Sequence, residues 1–138
     1  DDAVYHKGRI EARVYADSAA YAAGNVLSRE ELRTAGEPAK IKLTADFRGE
    51  ELTYVDAALL DALGTLNPTA CNEISFSVSG PGEILATDAG DPTSHASFKS
   101  PSIKAFGGLA SVVVKRTGPG PIKLTAESEG LGRKTLTI

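Results

Sequence analysis

Period-two alternation, broken at short intervals by Gly and Pro, is the feature that most constrains this chain. Glu73 to Ser79 sets Ile74, Phe76 and Val78 on one side, and Gly80-Pro81-Gly82 then turns the chain. A strand side chain faces alternate sides of its sheet, so this spacing describes a strand with one buried face. The same pattern recurs. Lys40 to Asp46 aligns Ile41, Leu43 and Ala45; Thr53 to Leu59 aligns Val55, Ala57 and Leu59 and turns Tyr54 and Asp56 outward. Glu83–Thr87, the β-branched run within Leu109–Arg116, Ile122–Ala126 and Thr135–Ile138 complete seven runs between Lys40 and Ile138. Seven short strands with turn chemistry between them predict an all-β, immunoglobulin-like antiparallel sandwich. The inter-sheet disulfide and core Trp of antibody domains are missing, so the expectation concerns architecture alone.

The first 36 residues read differently. Arg9 to Ala16 alternates, and Val26 to Arg33 reads as a strand, since Ala35-Gly36-Glu37-Pro38 leaves too little room for a helix. Ala19 to Asn25 is an Ala-rich connection ending in a turn signal. One or two strands with so little apolar material do not fold alone. They are expected to pack on a neighbouring module.

Asp88 to Gly108 shows little periodicity and carries Pro92, Pro101 and three Gly, so it reads as a long loop. Trp is absent and aromatics are 6%, so the core must be built from Val, Ile, Leu and Ala. The net charge of −3 is mixed in sign, with no basic block to suit nucleic acid. No apolar run is long enough to span a bilayer, and no signal peptide is visible. The chain starts Asp1-Asp2 and contains no Met, which reads as a processed or excised piece. Cys71 is the one cysteine, so no disulfide forms within the chain; it is expected to be a small buried core residue.

Candidate chemistry is sparse. Asp91, Ser94 and His95 have the residue types of a hydrolase triad, but five consecutive residues can hardly assemble nucleophile, base and orienter. A loop held by Asp91 and Ser94 bonding nearby backbone amides is the expected arrangement. Asp88, Asp91 and His95 lack any calcium-loop signature, and neither a metal nor a cofactor is expected. His6, near the chain start, is expected to be exposed. Sugar-binding surfaces need exposed aromatics, and the candidates are Tyr54, Phe98 and Phe106. Phe98 and Phe106 flank the long loop and are expected to pin it to the sandwich, with Tyr54 on an exposed strand position. The acids mostly alternate outward or sit in turns and read as a solvated face, and nothing in the sequence gives reason to raise the pKa of any of them.

Several stretches stand out in order along the chain: Leu32-Arg33-Thr34-Ala35-Gly36-Glu37-Pro38-Ala39-Lys40-Ile41, Leu52-Thr53-Tyr54-Val55, Ile74 through Ile84, Gly90-Asp91-Pro92-Thr93-Ser94-His95, Phe98-Lys99, Pro101, Lys104-Ala105-Phe106 and Leu124-Thr125-Ala126. Taken together, they resemble the C-terminal region of glycoside hydrolase family 2 enzymes of the bacterial β-galactosidase type. The resemblance implies that residues 1–36 are the last strands of a preceding module and residues 37–138 the final immunoglobulin-like module. It also implies that the catalytic glutamates lie on an upstream barrel, and that the parent enzyme is periplasmic or extracellular. Three segments depart from the pattern. Asp46 to Glu51 is short, which leaves the edge-strand arrangement open; Asp61-Ala62-Leu63-Gly64 replaces a more polar turn; and Cys71 stands where a polar residue is usual.

The expected role is therefore a non-catalytic accessory domain whose partners are the upstream domains of its parent. A carbohydrate-binding module contacting sugar through Tyr54, Phe98 or the loop of Asp91, Ser94 and His95 is the alternative. An adhesion-type immunoglobulin-like repeat is a third, which no internal repeat supports.

Overall fold

The computed structural model describes residues 7–138, so Asp1, Asp2 and His6 lie outside the described residues. The chain divides into two compact units, Asp1–Thr34 and Ala35–Ile138.

The first unit is a hairpin. Strand β1 (Arg9–Val14) pairs antiparallel with β2 (Ser28–Arg33), Ile10 opposite Leu32 and Glu11 opposite Glu31. The Ala-rich connection, expected to end in a turn, contains one helical turn, α1 (Ser18–Ala22). Asp17 caps it by accepting the Ala20 N–H at 2.7 Å, and Gly24 at φ 73° ends it. Pairing separates the two faces. Arg9, Glu11, Arg13, Arg29, Glu31 and Arg33 share one side, tied by Arg13–Glu11 at 2.7 Å and Arg9–Glu31 at 3.6 Å. The opposite side carries Ile10, Ala12, Val14 and Leu32 together with Ser28 and Glu30, and its large apolar residues are uncovered: Ile10 is 74% and Leu32 75% exposed.

The second unit is a sandwich of two four-stranded antiparallel sheets. One has the order β3 (Pro38–Arg48), β4 (Leu52–Asp61), β8 (Leu109–Arg116), β6 (Gly82–Asp88). The other has the order β10 (Gly132–Thr137), β9 (Lys123–Ser128), β5 (Glu73–Ser79), β7 (Ser102–Lys104). Apart from β7, this is the A-B-E-D and C-F-G arrangement of an immunoglobulin constant-type domain. The inward positions named by alternation form the core. Val55, Ala57, Leu59, Ile74, Phe76, Val112, Val114, Leu124 and Ala126 are all buried, and Val78 packs against them. A buried Val, Leu, Ile or Phe side chain contributes about 1.5–3 kcal/mol, so this cluster is the main source of cohesion.

Three expectations need correction. The long loop is not continuous: Ser102–Lys104 forms β7, which extends the sheet beyond β5 through Glu73↔Lys104, Ile74↔Ile103 and Ser75↔Ser102. A three-residue strand is too short to display a period, and Pro101 masks it further. The Phe98 and Phe106 rings do not pin the segment, since both are largely exposed. Backbone bonds and small core residues do so instead. Thr87 donates its N–H to Phe98 O and its Oγ1 hydroxyl to Ser100 O, both at 2.8 Å, and Ile103 and Ala105 enter the core. Cys71 is exposed, because it lies between the inward residues Ala70 and Ile74 on a link that turns it outward. The edge strand left open by the short Asp46–Glu51 segment is present: β3 runs to Arg48, and Gly49 N–H closes the turn onto Leu52 O at 2.8 Å.

Candidate functional site

The sequence candidates fall in two places. Asp91, Ser94, His95 and Phe98 lie on the segment leading to β7, and Tyr54 lies near the start of β4.

The segment is held locally. Asp91 Oδ1 accepts the Thr93 N–H at 2.8 Å and the Thr93 hydroxyl at 2.7 Å. Those bonds, the hydroxyl first, hold the Asp91 carboxyl below its ordinary pKa. Ser94 donates its N–H to Asp91 O at 3.1 Å and accepts the Ala96 N–H on Oγ at 3.2 Å. Asp91 is thus committed to Thr93, and its bonds form an Asx turn, not a relay to His95. His95 is exposed and Phe98 is 63% exposed. Among the described residues, no three His, Cys, Asp or Glu side chains gather in the manner of a metal site.

Two rows of side chains cross the outer face of the β3-β4-β8-β6 sheet. Phe47, Tyr54, Val113 and Ala86 are successive cross-strand partners and form an apolar row. Thr44, Asp56, Ser111 and Asp88 form a polar row beside it. Neighbours within a row sit about 4.5–5.5 Å apart; the rows, two residues apart on β4, β8 and β6 and three on the bulged β3, are separated by about 6.6 Å. Tyr54 and Phe47 meet edge to face, with centroids 5.8 Å apart, and remain 43% and 53% exposed. Ser111 donates its hydroxyl to Asp56 Oδ1 at 2.6 Å. A shallow groove lined by Asp56, Asp88, Ala89, Gly90, Leu109 and Ser111 continues the polar row.

Alternation alone missed Phe47. Ile41, Leu43 and Ala45 face inward, so strict period two would turn Phe47 inward as well. A register shift between Ala45 and Phe47 places Asp46 in a bulge and aims Phe47 outward beside Tyr54. A second shift, between Ile84 and Ala86, acts likewise on β6. An acidic residue followed by an aromatic, out of phase with the run, is the one trace of this in the sequence.

Sequence reasoning also missed a polar clamp. Asp61 and Asn67 are buried where β4 ends. Asp61 Oδ1 accepts the N–H groups of Leu63 at 3.0 Å and Thr65 at 2.7 Å, while Asn67 Nδ2 donates to Gly36 O at 2.8 Å. The clamp fixes backbone and offers no exposed reacting group.

The profile of glycoside hydrolase family 2 C-terminal domain 5 matches residues 37–137. Beta-galactosidase BoGH2A of Bacteroides ovatus is 43% identical over 121 residues, which cover 83% of this chain and 14% of that protein. Among solved structures, a beta-glycosidase from Bacteroides vulgatus superposes with TM-score 0.78 at 28% identity, covering 97% of this chain and 17% of that one. A glycosyl hydrolase family 2 member from Bacteroides cellulosilyticus gives TM-score 0.79 at 29% identity, covering 97% and 18%. The chain therefore spans a small part of each protein it matches. With the family profile on the sandwich and a close curated relative, the chain belongs to glycoside hydrolase family 2 and carries its C-terminal domain 5.

Proposed function

We propose that this chain is a non-catalytic accessory region of a β-galactosidase-like glycoside hydrolase, and that it works by packing against the neighbouring domains of its parent. In this reading residues 1–36 are the closing strands of a preceding module and residues 37–138 are the immunoglobulin-like module. The observation that carries it is the one-sided hairpin. Ile10, Val14 and Leu32 stand exposed together, while the reverse face is a lattice of Arg and Glu. A two-stranded hairpin is marginal on its own in water, and a bare apolar face of this kind requires a cover. The reading assigns the parent to the periplasm or cell exterior, an assignment that rests on family likeness. In the described residues, no helix is long and apolar enough to cross a membrane.

The test has two arms. Incubated with p-nitrophenyl β-galactoside, the 138-residue chain should give no turnover above buffer; enzymatic release of nitrophenol would overturn the non-catalytic role. In the parent enzyme, Ile10→Ser with Leu32→Ser should lower the melting temperature by several degrees, since each uncovers apolar area worth about 1–3 kcal/mol. An unchanged melting temperature would overturn the packing role.

A further inference from the structure

We propose that the outer face of the β3-β4-β8-β6 sheet is a carbohydrate-binding surface, with a pyranose oligosaccharide laid along the Phe47–Tyr54–Val113–Ala86 row and hydrogen-bonded by the Asp56–Ser111–Asp88 row. A pyranose presents an apolar face of C–H groups and a rim of hydroxyls. The two rows offer the same division at the spacing of one strand repeat.

The face is organised rather than incidental. Of the three register shifts in this sheet, two flank the apolar row, Ala45/Phe47 on edge strand β3 and Ile84/Ala86 on edge strand β6; the third, Pro38/Lys40, lies at the start of β3. Bulges re-aim side chains at sheet edges; here they bring Phe47 and Ala86 outward, with Leu85 exposed beside them. The Phe47 ring also lies over Gly49, where an added Cβ would come within 3.0 Å of the ring. Together with the edge-to-face contact, this holds Tyr54 and Phe47 with little freedom to lose on binding. On the polar row, the Ser111 hydroxyl fixes Asp56 through Oδ1 and leaves Oδ2 to accept a sugar hydroxyl. Asp88 Oδ1 is held in the same way by the N–H groups of Ala89 at 2.8 Å and Gly90 at 3.1 Å.

Width decides between sugar and protein. The apolar strip is narrow: Leu85 on β6 and the half-buried Leu52 on β4 are its additions to the row. Asp56, Ser111 and Asp88 bound it on one side, and the Lys115–Glu83 pair, at 3.9 Å, on the other. A stable protein interface needs a broad apolar centre and buries roughly 1,200–2,000 Å². A narrow strip between charged borders suits one oligosaccharide chain instead. The proposal goes beyond the accessory role, which stands whether or not sugar binds.

The test is a ¹⁵N–¹H titration of the 138-residue chain with β-1,4-galactotetraose, cellotetraose and xylotetraose. With at least one of them, saturable shifts are expected at the amides of Tyr54, Asp56, Ser111 and Val113. Tyr54→Ala should weaken that binding about tenfold, the size of a lost stacking contact, while Tyr54→Phe keeps it. Asp56→Asn, at a half-buried polar position, checks the second row without removing the ring. No shift with any probe at about 10 mM, a millimolar limit set well above weak affinities, overturns the proposal. So do shifts centred on His95 and Phe98, or binding indifferent to both Tyr54→Ala and Asp56→Asn. Hydroxyl-radical protection of Phe47 and Tyr54 in the parent enzyme without sugar would assign the face to a neighbouring domain and overturn it equally.

Discussion

The Asp61 carboxylate accepts the backbone N–H of Gly36 across 2.9 Å, joining the end of β4 to the entry of β3. With Asn67 bonded to Gly36 O, both peptide groups around Gly36 are held by buried side chains. Asp61 is 4% exposed and serves three backbone donors, so its replacement leaves those donors dry and unmatched. Each such loss costs about 1–3 kcal/mol, tempered by local relaxation. Asp61→Ala should therefore destabilise the sandwich by about 3 kcal/mol. Asp61→Asn, which keeps one acceptor oxygen, should cost less. Urea midpoints read both; equal midpoints for wild type and Asp61→Ala would contradict the clamp.

Gly108 and Gly130 both have positive φ, at 78° and 76°, yet they should respond differently to alanine. At Gly108 an added Cβ would strike the carbonyl oxygen of Asn67, while Gly108 itself bonds to Ala70 O at 2.9 Å and accepts from Leu59 at 2.8 Å. Gly130 faces open space. The left-handed conformation alone costs about 1–2 kcal/mol, and a clash with fixed backbone adds about 1–3 kcal/mol. Thermal melts should show Gly130→Ala mildly destabilised and Gly108→Ala destabilised at least twice as much.

Cys71 should react in the folded protein. Its exposed position predicts one equivalent of thiol titrating with a disulfide reagent in native buffer, at a rate unchanged by denaturant within about threefold. A thiol that appears only after unfolding would restore the buried reading.

The Asp91 carboxyl titrates below the ordinary aspartate value because Thr93 bonds its ionised form. A lowered folded pKa contributes stability above the unfolded pKa of 3.8 and loses it as pH falls through the folded value. Carboxyl NMR should place the Asp91 midpoint below that of a free aspartate. Thr93→Val, which removes the hydroxyl and keeps the N–H, should bring it part of the way back. An Asp91 midpoint that does not move on Thr93→Val would mean the hydroxyl bond is absent in solution.

Much of this protein was legible as alternation. Val55, Ala57 and Leu59, and likewise Ile74 and Phe76, could be assigned to the core because each repeats at two-residue spacing between turn signals. The Asp91–Thr93–Ser94 loop was legible because Asx turns close within a few residues. Phe98 and Phe106 misled because size and hydrophobicity say nothing of direction where the backbone is irregular. Cys71 misled because burial statistics describe a residue type, while the link from Ala70 to Ile74 sets its side.

By itself, the sequence determined the sandwich and the inward face of its main strands, since these follow from short-range periodicity and turn chemistry. Only the tertiary structure decided the outer face. Two bulges shift phase by a single residue, and that shift depends on which strand lies alongside. It carries Phe47 from the inward side that strict period two would give it to a place beside Tyr54. Cross-strand pairing, a relation between distant segments, then aligned Asp56, Ser111 and Asp88 into one row.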